Sequence, residues 1–216
     1  MKHILPHNES QEEMSKMKSN HNQLTKIVFG AVMAAIICVI TLFRIPLGQS
    51  KVHFANAMCL LAGLLLGPVT GGLSAGLGSA LYDVLFGGYD FLNAAITFVS
   101  KFAMAWVTAM LYRAWTRKQE DPAVKDTLVP LVASCVIGSL TYVALYMAKT
   151  YIYNRFVYGF PLQTVGATVV SKLIPSLINA AAAIVAAPIF FHAVLPALRA
   201  GGVLKHLHAG EIAEEK

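Results

Sequence analysis

Apolar residues in this chain come in long blocks separated by short polar breaks, the pattern a bilayer solvent requires. The first 23 residues, including NESQEEMSKMKSNHNQ, are polar and lack the apolar core of a cleavable signal peptide. They read as a flexible cytosolic tail. The first apolar block runs from Leu24 to Phe43 and is closed by Arg44 and Pro46. After the polar stretch RIPLGQSKVH comes FANAMCLLAGLLLGPVTGGLSAGLGSALYDVLF, too long for one simple span and short for two. GPVTGG in its middle is a turn signal, so two short helices are predicted over 54–68 and 71–86. GGYD separates them from a fourth helix over 91–115. The charged, Pro122-containing RKQEDPAVKD reads as a loop before a fifth helix over 127–152. YNRFVYGFPLQ, with Pro161, reads as another loop. The sixth helix covers 164–198 and is expected to kink at Pro175, Pro188 and Pro196. The predicted fold is an all-α membrane protein of six transmembrane helices over 24–200, followed by a solvated tail over 201–216.

Composition supports this reading. Hydrophobic residues make up 56% of the chain and charged residues 13%, against about 25% charged in soluble domains. Such a chain lacks the residues to build a polar surface. Its net charge of +6 reads as a membrane flanking bias instead of a nucleic-acid surface, because the basic residues flank apolar blocks. With the N-terminus inside, eleven Lys and Arg fall in cytosolic segments, among them Lys26, Arg113, Arg117 and Arg199. Four fall in outer ones: Arg44, Lys51, Lys149 and Arg155. That asymmetry places both termini in the cytosol. Cys38, Cys59 and Cys135 lie inside apolar blocks without CxxC spacing and read as packing residues. His3, His7 and His21 match no metal-ligand spacing, and no metal site is expected.

Ionisable residues inside the apolar blocks change the picture from architecture to function. Lys101 in the fourth helix and Lys172 in the sixth lie roughly 12–15 Å below the outer surface at 1.5 Å rise per residue. At that depth a charge is costly and marks a functional site. Asp83 near the outer end of the third helix either pairs with Lys101 or faces a ligand. His53, Asn56 and Asn93 lie on the same side, and Thr97 is one turn above Lys101. Tyr142, Tyr146, Lys149 and Tyr153 form one stripe on the fifth helix, readable as packing, as an interface belt or as a ligand wall. Tyr89 and Tyr158 fall in outer loops, and Asn179 lies deeper. The candidate substrate-binding set is His53, Asn56, Asp83, Tyr89, Asn93, Thr97, Lys101, Tyr142, Tyr146 and Lys172. Polar groups gather at the outer half while the inner half is Leu, Ala, Val and Gly. This favours a pocket for a small organic ligand over a channel.

The first helix carries FGAVMAAIICV, where Gly30 with Ala34 and Ala31 with Ala35 repeat at four-residue spacing. Small residues so spaced admit a close helix, either within this chain or from a partner. The Gly-rich segment lacks GxxxxGK[ST], and no HExxH, GxSxG or paired catalytic carboxylates occur. No enzyme activity is expected, and energy for transport must come from a partner or an ion gradient.

Over residues 24–198 the chain resembles the substrate-binding S components of energy-coupling factor (ECF) vitamin transporters. Three stretches carry the resemblance: the Ala31/Ala35 strip, VHFANAMCLLAGLLLGPVTGGLSAGLGSALYDVL, and AAITFVSKFAMAW with Lys101. The resemblance implies a multi-pass protein of the bacterial cell membrane that captures a vitamin from outside. It implies docking onto a membrane coupling subunit through Ala31 and Ala35, and two cytosolic ATPases as engine. ATP is thus used only through partners, no cofactor is covalently bound, and the vitamin is the substrate. VHFANA is similar to the riboflavin-type branch, whose members often carry Gly-Asp in place of Ala55-Asn56. The expectation leans to a large vitamin such as cobalamin, with riboflavin or another B vitamin as the other options. The competing readings are a self-contained secondary transporter or facilitator and a membrane enzyme acting on a lipid or prenyl substrate.

Overall fold

The computed structural model describes residues 7–47, 50–116 and 128–202. The loop from Arg117 to Asp126 and the tail beyond Gly202, both expected from the sequence, lie outside them. Six α-helices follow in chain order: α1 His7–Leu42, α2 Ala55–Leu66, α3 Pro68–Leu85, α4 Phe91–Thr116, α5 Leu128–Ile152 and α6 Leu162–Ala200. Among the described residues four helical segments are long and apolar enough to cross a membrane: Asn20–Leu42, Phe91–Thr116, Leu128–Val157 and Leu162–Ala200.

The remaining two helices are shorter for a physical reason. With 12 residues, α2 extends only about 18 Å, well under the roughly 30 Å hydrocarbon core. Its sequence ANAMCLLAGLLL has no polar face, and all of its residues are buried. A helix that is apolar all round belongs inside a bundle. It packs against α1, α3, α4, α5 and α6. The other contacts run in an arc around it, α1 on α3, α3 on α4, α4 on α5 and α5 on α6. Small residues permit the approach: a Cβ on Gly63 would meet the Ala105 carbonyl of α4, and one on Gly71 would meet the Ala62 carbonyl of α2. The core combines Leu60, Leu61, Leu64 and Leu65 of α2 with Ile37, Met104, Leu131 and Phe191 from the helices around it. Outward faces remain apolar and exposed, including Ile27, Val28, Val32 and Val39 of α1, as lipid contact demands.

Several boundaries differ from the sequence expectation. The first helix starts at His7, not Leu24, so the polar segment expected to be flexible forms its early turns. The turn within GPVTGG is the single residue Gly67, at φ 85° and ψ −178°, because Pro68 already occupies the first turn of α3. The stretch after α1, read as a plain loop, contains a two-stranded antiparallel sheet, β1 Ile45–Leu47 with β2 Ser50–Val52. α5 continues into a π-helical turn, Tyr153–Val157, where a loop was expected. α6 runs as one helix with Pro175, Pro188 and Pro196 inside it.

Candidate functional site

One end of the bundle is polar. There the C-terminal parts of α1, α3 and α5 meet the N-terminal parts of α2, α4 and α6 around a cavity of about 330 Å³. All ten candidates from the sequence line it: His53, Asn56, Asp83, Tyr89, Asn93, Thr97, Lys101, Tyr142, Tyr146 and Lys172.

Lys101 forms the floor. It is 3% exposed, and its ammonium donates a hydrogen bond to Asn56 Oδ1. The same ammonium lies 3.7 Å from the centroid of the Tyr142 ring. Its charge is thus held by an amide dipole and a π face, the arrangement expected for a desolvated cation. Tyr142 stacks on Tyr146, with centroids 5.9 Å apart and planes at 17°. One turn further along α5, Lys149 spans to α4, with Nζ 3.4 Å from Asn93 O and 3.4 Å from Thr97 Oγ1. The stripe on α5 therefore faces the cavity, as one helical face must at this spacing.

The π-helical turn adds to the same wall. It carries Tyr153 and Asn154 into the lining and brings Tyr158 edge-on to Tyr153 at 6.1 Å. Such turns often re-aim side chains at functional sites. The Tyr153 hydroxyl is buried and has no hydrogen-bond partner among the described residues. On the opposite side Asn179 of α6 accepts the backbone N–H of His53 at 2.9 Å, fixing the start of α2. Arg44, just after α1, donates to the Tyr82 hydroxyl, and its guanidinium lies 5.4 Å from that ring's centroid.

Seven lining residues were not singled out from the sequence: Thr41, Arg44, Ser79, Tyr82, Thr150, Asn154 and Ser176. Helical spacing held a signal for some. Ser79 is one turn from Asp83, Thr150 one turn from Tyr146, and Ser176 one turn from Lys172.

The small-residue strip of α1 divides in two. Ala34 is buried, and Gly30 packs on α3, where a Cβ would lie 3.2 Å from Thr70 Cγ2 and 3.3 Å from Ser74 Oγ. A Cβ on Gly78 of α3 would meet the Ala34 carbonyl. Ala34 is therefore committed to internal packing, and half-buried Gly30 packs one side against α3. Ala31 and Ala35 are exposed.

Residues 21–195 match the family model of the ECF-type riboflavin transporter, S component. The chain belongs to that family and is a membrane component of a transporter that works with an ECF module. Among solved structures, the S component of a bacterial ECF transporter aligns with a TM-score of 0.59 at 16% identity. The alignment covers 82% of this chain and 98% of that one. At that identity the likeness establishes the fold. No curated protein sequence matches. The lean towards cobalamin finds no support, since the matching family is the riboflavin type.

Proposed function

We propose that this chain is the high-affinity vitamin-binding subunit of an ECF-type ABC importer in a bacterial cell membrane, and that its vitamin is of the flavin type. It captures the vitamin from outside and delivers it with a separate module, a membrane coupling subunit and two cytosolic ATPases. The chain crosses the membrane six times with both termini cytosolic. The short α2 is compatible with this, because a helix wrapped in protein on every side need not match the lipid thickness. Lys26, Arg113 and Arg199 lie towards the bundle end opposite the cavity, in keeping with the positive-inside bias.

The observation that carries this reading is the one-ended cavity itself. Tyrosine faces, amides, the buried Lys101 and three half-buried cations converge there, and beyond Asn56 the central helix is wholly apolar and buried. Stacked tyrosines suit a planar aromatic ring, and the polar rim suits a hydroxylated chain. Apolar packing beneath the Lys101 floor suits capture, whereas a self-contained transporter needs polar groups continuing inward.

The test is riboflavin titration of the purified chain, followed by quenching of flavin fluorescence. The expected Kd lies at or below about 1 μM, or −8 kcal/mol. Uptake into liposomes should require the ATPase module and ATP. Absence of flavin binding overturns the vitamin assignment, and uptake by the chain alone under an ion gradient replaces this reading with a secondary transporter.

A further inference from the structure

The first turn of α2 carries a polar task with little local support. It holds Asn56, the amide that receives the Lys101 ammonium. Yet Phe54, at the cap position, makes no side-chain hydrogen bond to the helix, so the support that Ser, Thr, Asp or Asn gives there is missing. The close backbone approaches of α2 come later along it, at Ala62 against Gly71 and at Gly63 against Ala105. Beyond Asn56 the helix is apolar all round, and apolar burial has no direction. Hydrophobic packing therefore discriminates weakly among rotations of the first turn. The missing support comes from α6. Asn179, only 6% exposed, accepts the N–H of His53, directly ahead of Phe54, at 2.9 Å. α6 also packs on β2, which ends just before His53. From there directional contacts continue from Asn56 to Lys101 and from Lys101 to the face of Tyr142 at 3.7 Å. Four helices, α6, α2, α4 and α5, are thus linked across the cavity, and Asn179 anchors the line on α6.

We propose that Asn179 is a positioning residue of the vitamin site, a cap supplied by a neighbouring helix that sets the first turn of α2 and so places Asn56 and, through it, Lys101. The proposal rests on the vitamin-capture reading and adds to it a residue that acts on the ligand through other side chains. Its signature is dependence: once Asn56 can no longer hold Lys101, the loss of Asn179 has nothing further to misplace.

The experiment titrates riboflavin into the full chain in nanodiscs, with affinity taken over the binding-competent fraction, for Asn179→Leu, Asn179→Asp, Asn56→Ala and the double variant of Asn179→Leu with Asn56→Ala. Asn179→Leu keeps the size and removes the acceptor, and should weaken binding about tenfold, the scale of one directed hydrogen bond whose loss strands a donor. Asn179→Asp should bind close to wild type, because its carboxylate accepts the same N–H. The double variant should bind no more weakly than Asn56→Ala alone, the non-additivity expected of residues that act in series. Losses that multiply overturn the proposal, since Asn179 then acts on the ligand independently of Asn56. A lowered Tm with unchanged affinity in Asn179→Leu overturns it too, leaving Asn179 a purely structural residue, as does an Asn179→Asp protein that binds as weakly as Asn179→Leu. These outcomes leave the capture reading intact, whereas a wild-type chain that binds no flavin overturns both. Where Asn179→Leu fails to fold, Asn179→Ala takes its place in the same cycle.

Discussion

Lys101 sits where a charge is least tolerated, and its surroundings show how the cost is met. The amide of Asn56 and the face of Tyr142 hold the ammonium without neutralising it. Lys101→Ala should therefore weaken vitamin binding about ten- to a hundredfold, taking about 1.5–3 kcal/mol for a charged hydrogen bond, with the protein still folded in the membrane. An unchanged Kd in a flavin titration would make Lys101 a structural residue. Tyr153 poses the opposite case. Its hydroxyl is buried at the cavity with no partner among the described residues, a cost of about 1–3 kcal/mol. Tyr153→Phe should raise the Tm of the ligand-free protein and lower vitamin affinity; a fall in Tm would show that the hydroxyl is satisfied. These residues were legible in the sequence because ionisable and aromatic groups stand out against an apolar block. Ser79, Thr150 and Ser176 were not, since small hydroxyls are ordinary in membrane helices and bond their own backbone, as Thr150 and Ser176 do here. The meeting of Arg44 with Tyr82 joins positions far apart in the chain, which no local pattern encodes.

At the scale of elements, the α2–α3 corner shows what local chemistry does and does not specify. The Gly-Pro pair marked the corner, but the following Thr-Gly-Gly resembled more of the same turn. Packing decided otherwise. Gly71 lets α3 begin directly against Ala62 of α2, so the helix claims those residues. Gly67 alone makes the corner, in a backbone region that is essentially restricted to glycine, and a Cβ there would collide with the Arg113 guanidinium. Gly67→Ala should lower stability by about 1–3 kcal/mol, read as a drop in Tm in detergent. An unchanged Tm would mean that the corner relaxes freely. The long helices were legible with near-correct limits because apolar length alone defines them. The early turns of α1, the short β1–β2 pair and the π-helical turn lack such a signature, and tertiary context sets them.

For the whole molecule, the helices packed around α2 keep apolar outward faces exposed, and α1 shows how one helix divides between internal packing and an open face. Gly30 and Ala34 face inward on α3, while Ala31 and Ala35, one position further round the helix, face outward. The two small-residue pairs look equivalent in the sequence, and only the packing separates a structural face from an open one. If the open face docks the coupling subunit, bulk there should block assembly without touching the cavity. Ala31→Trp and Ala35→Trp should retain flavin affinity in the isolated chain but fail to co-purify with the coupling subunit and its ATPases. Ala34→Trp should instead destabilise the chain itself, by at least the 1–3 kcal/mol typical of overpacking, because the side chain is only 6% exposed. The contrast between neighbouring positions separates docking from folding. Co-purification of the Ala31→Trp and Ala35→Trp proteins at wild-type levels would place the docking surface on another helix.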